Sequence, residues 1–196
     1  MDERELHPDP IVQFRAWLDE AVAEGVREPD AMTIATAGLD GMPSARTVSL
    51  RGFDERGFAF YTNYRSPKAR TLDENPRAAV VFHWREVERQ VRATGTVARL
   101  SRGESLAYRH NRPLGSRLSA LVSPQSEVVA DRAELEAAYE AAVARYGDDP
   151  PLPDSWGGFV VTPDEVEFWE GRPNRLHDRV RYRRVEDGWV RERLAP

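Results

Sequence analysis

The sequence predicts a mainly β protein with flanking helices, an α+β fold built on an antiparallel β-barrel. Many segments are short runs that alternate apolar and polar residues, as half-buried strands do. Turn signals follow these runs closely, and one short helix interrupts the strands of the first half. Strands joined by such short connections pair antiparallel, so we expect a meander that forms a barrel and not a parallel sheet.

Length and composition limit the possible functions. The 196 residues, 40% hydrophobic and 31% charged, fit a single globular domain spanning residues 1–196. The net charge of −5 argues against a nucleic-acid partner. No cysteine is present and the four histidines are scattered, so no metal site is expected. No apolar run has the length of a membrane span and no signal peptide is recognised, so we expect a cytoplasmic protein without a membrane partner.

The first helix is predicted from Asp9-Pro10, an N-cap followed by a first-turn proline, to Gly25. Its apolar residues recur at helical spacing and indicate core or interface packing. The residues before it, 1–8, are expected to form a flexible tail. Met32 to Ala37 then reads as a short strand.

The next stretch carries the first functional signal. Two strands, Arg46–Phe53 and Phe58–Tyr61, flank a turn and predict a β-hairpin. Ser66-Pro67-Lys68 predicts the start of a helix, because serine caps helices and proline suits the first turn. A helix N-terminus with a lysine beside it attracts anions, and Arg46 and Arg51 lie on the neighbouring strand. The stretch fits a phosphate site, and an ordinary hairpin with a solvated basic edge fits it equally well.

After this stretch the pattern predicts the end of that helix before Pro76, a pair of strands, three helices and four C-terminal strands. One clear signal is the capping box Ser101-Arg102-Gly103-Glu104, which begins a helix ending near His110. Two strands, Phe159–Val161 and Val166–Trp169, flank a Thr-Pro-Asp turn. The other expected elements are the strands Ala78–Trp84, Arg89–Leu100, Val180–Arg184 and Trp189–Leu194, the helix Ser116–Val122, and a long helix with one apolar face between Asp131 and Gly147.

Familiar catalytic and nucleotide-binding motifs are missing from the sequence. It contains no Walker A motif, no G-x-G-x-x-G and no G-x-S-x-G. What remains is a set of Arg, Lys, Gln, Ser and aromatic residues at strand ends and loops. Arginine suits bidentate phosphate contacts, and Gln and Trp suit the edge and face of a planar ring. The set is Arg46, Arg51, Lys68, Gln90, Tyr108, Arg112, Ser116, Gln125, Ser126, Trp169, Arg175, His177 and Arg179.

At these residues the chain resembles the pyridoxamine 5′-phosphate oxidase family. The resemblance covers nearly the whole chain, from Asp9-Pro10 to the terminal Arg193-Leu194-Ala195-Pro196. One short block would be a weak signal, but all of them in order are specific. The matching blocks are Ala31-Met32, Arg46-Thr47-Val48, Phe60-Tyr61-Thr62-Asn63, Glu88-Arg89-Gln90-Val91, Asn111-Arg112-Pro113, Gln125-Ser126, Trp156-Gly157-Gly158, Glu167-Phe168-Trp169 and Arg175-Leu176-His177-Asp178-Arg179.

The resemblance implies a Greek-key split β-barrel homodimer with FMN bound where the two subunits meet. One subunit would contribute Arg46, Tyr61, Thr62, Lys68 and Gln90 to the FMN site, and the other Gln125, Ser126, Trp169 and Arg179. Thr47, Val48, Ser49 and Ser66 complete the implied cofactor-binding set.

The resemblance also implies a reaction. A hydride would pass from the C4′ carbon of pyridoxamine or pyridoxine 5′-phosphate to the flavin, which O2 reoxidises, giving pyridoxal 5′-phosphate and hydrogen peroxide. Arg175 and His177 are implied as catalytic residues that also touch the substrate. The implied substrate-binding residues are Arg51, Tyr108, Arg112, Ser116, Arg175 and His177.

Three departures from the family pattern bear on these expectations. Arg51 stands where the family often has lysine, and Pro67 stands where an arginine often contacts the flavin phosphate. The acidic N-terminus is shorter than the basic arm of many members. Two other functions stay open: an FMN oxidase of the same fold acting on another substrate, such as a reduced phenazine precursor, and a non-catalytic flavin- or B6-phosphate-binding protein. The group Arg51, Tyr108, Arg112 and Ser116 favours the phosphorylated substrate.

Overall fold

A computed structural model describes residues 1–196. The chain forms one nine-stranded antiparallel sheet and five α-helices, so the predicted fold class is confirmed. The helices are α1 Pro10–Ala23, α2 Pro67–Glu74, α3 Arg102–His110, α4 Leu114–Val122 and α5 Arg132–Tyr146. The strands are β1 Ala31–Ala37, β2 Pro43–Ser49, β3 Gly52–Asp54, β4 Gly57–Asn63, β5 Arg77–Trp84, β6 Arg89–Arg99, β7 Trp156–Glu170, β8 Asp178–Val185 and β9 Gly188–Arg193. None of the helices has the length and apolar character needed to cross a membrane.

The sheet curls because its two edges are covalently joined. Neighbouring strands follow the order β2-β1-β5-β6-β7-β4-β3, so β2 and β3 lie at opposite ends. They are nevertheless consecutive in the chain: the Leu50 amide donates to the Asp30 carbonyl (2.8 Å), and the next amide, of Arg51, donates to Ala59 (2.8 Å). Two adjacent residues thus extend opposite edges, which brings those edges together in a barrel-like curl.

This connection corrects the predicted hairpin. Of the predicted hairpin strand Arg46–Phe53, only the end that lies in β3 pairs with β4, whereas Arg46–Ser49 pairs with β1. Alternating apolar residues indicate a strand but do not determine which other strand it pairs with. The expected turn within the C-terminal strands is also wrong, since β7 runs unbroken from Trp156 to Glu170. Its first half pairs with β4 and its second half with β8, and a register shift between Thr94 and Gly95 leaves Asp164 without a partner on β6.

Helix α1 supplies the centre of the core, as its aromatic spacing predicts. Phe14 is fully buried, and its ring centroid lies 4.7–5.0 Å from those of Phe53, Phe58 and Phe82. Trp17 packs edge-on against Phe168 with a centroid distance of 5.1 Å. The helix therefore links the inner faces of β3, β4, β5 and β7, and burial of these large rings is a main source of stability.

The first eight residues, expected to be a flexible tail, pack against β8 and β9. Leu6 is buried, the carbonyl of His7 accepts from the Tyr182 hydroxyl at 2.7 Å, and Arg191 donates to the carbonyl of Leu6 at 2.6 Å. The sequence does not predict this contact, because the segment is bound mainly through its backbone carbonyls, which every residue carries.

Candidate active site

A cavity of about 1540 Å³ lies where β2, β4, the start of α2, helices α3 and α4 and the segment after α4 meet. The curl of the sheet creates it, because β2 and β4 approach each other only after the edges have met. Thirteen of the predicted site residues line this one cavity: Arg46, Thr47, Val48, Ser49, Arg51, Tyr61, Thr62, Lys68, Tyr108, Arg112, Ser116, Gln125 and Ser126.

One part of the cavity is built around a buried lysine. Lys68 is 8% exposed, and its Nζ donates to Thr62 Oγ1 (2.9 Å), Gln125 Oε1 (3.1 Å) and Ser66 Oγ (3.3 Å). No acidic side chain is paired with it. Burial, with a smaller contribution from the charge of Arg46, lowers the pKa of Lys68 to about 8. An ammonium group desolvated among neutral acceptors is stabilised by an incoming anion. We call this group of residues the Lys68 corner.

Arg46, on β2, is the second cation of the Lys68 corner. Its guanidinium donates to Thr36 Oγ1 (3.0 Å) and Ser44 Oγ (2.6 Å), and it forms no ion pair. Desolvation lowers the pKa of Arg46 from its ordinary value. Two hydroxyl groups therefore orient the guanidinium without neutralising it, which leaves its charge available for a ligand.

Ser66 has a different role from the one its sequence position indicates. It is fully buried beneath the cavity and precedes α2, but its side chain makes no capping hydrogen bond and accepts from Lys68 instead. Pro67 removes the first amide of the helix, and the Ser66 carbonyl accepts from the amides of Ala69 and Arg70. Side-chain cations, more than free helix amides, thus make this corner positive.

A second part of the cavity, the Arg112 corner, consists of Tyr108, Arg112, Ser116 and Trp156. The ring of Tyr61 stacks on Tyr108 with a centroid distance of 3.9 Å and an interplanar angle of 13°, and the guanidinium carbon of Arg112 lies 5.0 Å from the Trp156 ring centroid. Arg112 forms no ion pair, and desolvation lowers its pKa. The corner offers aromatic faces beside an uncompensated cation.

Gly158 on β7 makes this stacking possible. A β-carbon there would lie 2.8 Å from the Tyr61 ring, so a larger residue would displace the stacked pair. Arg51, at the rim, pairs with Asp30 at 3.2 Å, and both side chains are more than 40% exposed. Because exposed pairs contribute little, Arg51 can exchange this partner for a ligand.

The remaining predicted residues form a second cluster outside the cavity. Gln90, Trp169 and Arg179 lie in register across β6, β7 and β8, and the His177 ring centroid is 4.7 Å from that of Trp169. Arg175 precedes this site on an exposed turn. We call Gln90, Trp169, Arg175, His177 and Arg179 the β7 row; within one chain none of them lines the cavity.

Carboxylates hold the β7 row in place. Glu167, 4% exposed, accepts from Arg179 Nε at 2.8 Å and also pairs with Arg92 at 2.7 Å. Arg172 bridges the two ends of the loop before β8, donating to Glu170 (2.6 Å) and Asp178 (2.7 Å). These ion pairs leave the arginines of the strands neutralised, so this cluster is a rigid frame more than an anion site.

Two predicted site residues adopt left-handed backbone. Ser126 has φ 70° and Arg175 has φ 61°, a region that residues with a β-carbon rarely occupy. Such strain concentrates at functional sites, because the surrounding structure must hold it.

The structure corrects the expected division between subunits for Gln125 and Ser126. The resemblance implied that they reach the FMN site from the second subunit, but they line the same cavity as Lys68 of their own chain. Gln125 Oε1 accepts from both Thr62 Oγ1 (2.8 Å) and Lys68 Nζ. The segment after α4 runs back to β4, which no local sequence pattern predicts. Gln90 departs from the expected division in the opposite direction: it was implied to share the site of Lys68 in its own subunit, but it lies in the β7 row, outside that chain's cavity.

Sequence reasoning missed several residues with roles in these clusters. Trp156 lines the cavity, and its place before two glycines at the start of a strand was a usable signal. Glu167 orients Arg179, but an acidic residue inside a strand has no distinctive pattern. Asn63, Ser119 and Ser123 also line the cavity and carry no motif of their own.

The fold and the cavity place the protein in the class of antiparallel split barrels. PhzG from Burkholderia lata 383, solved in complex with tetrahydrophenazine-1-carboxylic acid, superposes with a TM-score of 0.94 at 33% identity, over 98% of this chain and 95% of that one. A pyridoxamine 5′-phosphate oxidase-related, FMN binding protein from Nostoc punctiforme superposes with a TM-score of 0.75 at 22% identity, over 98% and 99% of the chains, and shows the fold alone.

Sequence comparison identifies the family. The model for pyridoxamine 5′-phosphate oxidase matches residues 18–146, and that for the pyridoxine 5′-phosphate oxidase C-terminal dimerisation region matches residues 156–196. A pyridoxine/pyridoxamine 5′-phosphate oxidase from Salinibacter ruber is 58% identical over 96% of this chain and 89% of its own. Another from Thermosynechococcus vestitus is 57% identical over 99% and 92%. The chain belongs to the pyridoxamine 5′-phosphate oxidase family.

Proposed function

We propose that the protein oxidises pyridoxamine 5′-phosphate or pyridoxine 5′-phosphate to pyridoxal 5′-phosphate, with FMN as cofactor and O2 reduced to hydrogen peroxide. The observation that carries the proposal is the pair of uncompensated cationic corners in one cavity. Arg46 and Lys68 mark one anion position and Arg112 marks another. A cofactor and a substrate that each carry one phosphate need two such positions. Relatives at 57–58% identity bear the name of this activity.

The residues of the Lys68 corner fit FMN. The buried ammonium of Lys68 has only neutral acceptors around it, so a phosphate would supply the missing negative charge. The cavity, about 1540 Å³, exceeds the usual size of a pocket for one small ligand and has room for two ring systems. When bound there, FMN supplies the ring that accepts the hydride and passes electrons to oxygen.

The chain's own residues bind and orient the reactants. Arg46 and Lys68 would hold the cofactor phosphate, with Thr62 and Gln125 keeping the lysine in position. Arg112, together with Tyr108, Ser116 and Arg51, would hold the substrate phosphate at the other corner. Two fixed phosphates determine how the two rings face each other, and correct placement of the reacting atoms is itself a large part of catalysis.

We further infer that the active protein is a homodimer in which the β7 row of one subunit completes the cavity of its partner. Within a single chain the row lies outside the cavity, although Trp169, Arg175, His177 and Arg179 are predicted to touch cofactor or substrate. All four fall in the segment that matches the dimerisation region. In the dimer, Arg175 and His177 would lie against the substrate ring and position the reacting carbon.

A direct assay tests the proposal. FMN is supplied to the purified protein, unbound flavin is removed, and pyridoxamine 5′-phosphate is added in air while pyridoxal 5′-phosphate and hydrogen peroxide are measured. We expect both products in equal amounts and release of FMN, not FAD, on denaturation. Failure to retain FMN, or retention without any turnover, would refute the oxidase function; retention alone would leave the chain a flavin-binding protein.

The structural likeness to PhzG supports one alternative, an oxidase acting on a reduced phenazine. Such a ring carries a carboxylate and no phosphate, so it would not need the whole Arg112 corner. Turnover of both compounds should therefore be compared in wild-type protein and in Arg112→Ala. The B6 function requires the phosphorylated substrate to be preferred and to lose more from this substitution.

A further inference from the structure

Arg109, on the last turn of α3, is a buried charge without a partner. Only 4% of the residue is exposed, and its Nε and Nη2 atoms are buried and form no hydrogen bond. It forms no ion pair with any acidic side chain. A fold normally excludes such a group, because an unpaired buried guanidinium loses its hydration and gains nothing in return. The proposed function leaves Arg109 unassigned, so its presence calls for a reason.

The surroundings of Arg109 increase its positive potential. Desolvation is the main cause that lowers its pKa, and the nearby charges of Arg117 and Arg112 lower it further, while exposed Asp149 is the only opposing charge. Arg117, on α4, also has a buried Nε without a partner and donates from Nη2 to the carbonyl of Asp148 at 3.1 Å. A guanidinium stays protonated at neutral pH even when desolvated, so this charge persists.

The position of Arg109 connects it with the Arg112 corner. Its chain neighbour Tyr108 lines the cavity, as does Arg112 three residues further, in the connection to α4. Arg117 follows the lining residue Ser116. Arg109 itself is not among the lining residues, so it cannot touch a ligand there. A charge inside the protein acts over several ångströms with less screening than one in water.

We propose that Arg109 is a positioning residue that acts through space, a permanent positive charge behind the Arg112 corner that strengthens binding of the substrate phosphate at the expense of fold stability. The inference rests on the proposed function, because it takes the Arg112 corner to bind a phosphate. The proposal predicts a combination of effects that an arginine with only a packing role would not produce. Removing the charge must weaken anion binding and stabilise the fold at the same time.

The test compares Arg109→Met with Arg77→Met in the FMN-loaded protein. Methionine keeps the length and volume of the side chain but removes its charge, and Arg77 is a surface residue paired with Asp164, both about half exposed. For Arg109→Met we expect the dissociation constants of pyridoxal 5′-phosphate and inorganic phosphate, and the KM of pyridoxamine 5′-phosphate, to increase about three- to tenfold. The melting temperature should increase by about 2–4 °C. Arg77→Met gives the protein the same net charge as Arg109→Met and should change neither the ligand affinities nor the melting temperature.

Each result decides the question. Unchanged affinities, or a protein that melts lower or does not fold, would show that Arg109 serves packing and would overturn the proposal. Arg109→Lys, which restores a cation, should recover most of the affinity at neutral pH. If the wild-type protein oxidises no phosphorylated pyridine, the proposed function fails, but phosphate binding and melting temperature still decide the role of Arg109.

Discussion

The cavity and the β7 row are both rich in cationic side chains, but they differ in how these are paired with carboxylates. In the cavity, Arg46, Lys68 and Arg112 have hydroxyl, amide or aromatic partners and no carboxylate. In the row, Arg179 is held by buried Glu167, and the loop that precedes it is closed by Arg172 between two carboxylates.

This difference indicates two kinds of functional surface. A cation kept away from carboxylates costs stability in the free protein and recovers it when an anion binds. A cation already paired gives a fixed shape and little net charge, which suits a surface that fits against another subunit. The experiments below should therefore separate ligand binding at the cavity from positioning by the row.

The largest expected effect is loss of the cofactor when the buried lysine is replaced. Lys68→Met removes a charge at the centre of the Lys68 corner. We expect FMN to bind about 100-fold more weakly, since one charge-assisted hydrogen bond to the phosphate contributes about 1.5–3 kcal/mol and a 100-fold change corresponds to about 2.8 kcal/mol. Arg46→Ala should act in the same direction. Equilibrium titration of FMN into apoprotein, followed by flavin fluorescence, measures the change. Arg70→Ala, on the exposed side of the same helix, is the matched control.

Next in size is the effect of Arg112→Ala on the substrate. We expect a higher KM for pyridoxamine 5′-phosphate, corresponding to about 1.5–3 kcal/mol, with kcat nearly unchanged, because the phosphate contact is present in both ground and transition states. Flavin content should stay normal. Steady-state kinetics and the absorbance spectrum give both quantities, and a variant that loses its flavin with an unchanged KM would reverse our assignment of the two corners.

A smaller loss, about tenfold in kcat, is expected for His177→Ala, because removal of a ring-positioning group misplaces the reacting carbon. KM and flavin content should change little. Single-turnover reduction of the flavin under anaerobic conditions isolates the affected step. A kinetically silent variant would mean that the loop of the β7 row has no part in the reaction.

Mixing two variants provides the control for the subunit assignment. If Lys68 and His177 of one site come from different subunits, a dimer of Lys68→Met and His177→Ala chains contains one wholly wild-type site. Random assembly should then restore about a quarter of the wild-type sites. Activity no higher than the mean of the two parents would place both residues in one subunit's site.

The smallest effect concerns pH. Burial lowers the pKa of Lys68 to about 8 from an ordinary 10.5, so between these values the unfolded chain holds a proton that the folded apoprotein has released. Unfolding then takes up a proton, and this group makes the free energy of unfolding increase with pH between about 8 and 10.5. FMN binding should weaken over the same range, because neutral Lys68 cannot neutralise a phosphate.

Lys68→Arg tests the cause, since arginine stays charged throughout this range. Its FMN affinity should be nearly independent of pH between 8 and 10, and its unfolding free energy should lack the rise seen in the wild-type apoprotein. Denaturant titrations at several pH values measure the second quantity. Parallel pH profiles for the two proteins would contradict the assignment to Lys68.

Much of the fold was predictable because its signals are local. The capping box at Ser101 and Glu104 forms as expected and begins α3 at the predicted residue. The aromatic spacing of α1 correctly indicated that Phe14 and Trp17 are core residues. The cavity residues were predictable for another reason: short blocks such as Arg46-Thr47-Val48 carry the resemblance to the family. Their roles remain predictions until the experiments above are done.

The sequence by itself therefore determined the helices, most strands and thirteen of the residues that line the cavity. Only the tertiary structure decided that the strand containing Arg46 pairs with β1, that Gln125 returns to Lys68 of its own chain, and that Arg109 is buried without a partner. Periodicity and caps depend on neighbours within a few residues, whereas strand partners, burial and missing counter-charges depend on segments far apart in the chain. These long-range contacts determine which cations in the cavity lack a carboxylate partner.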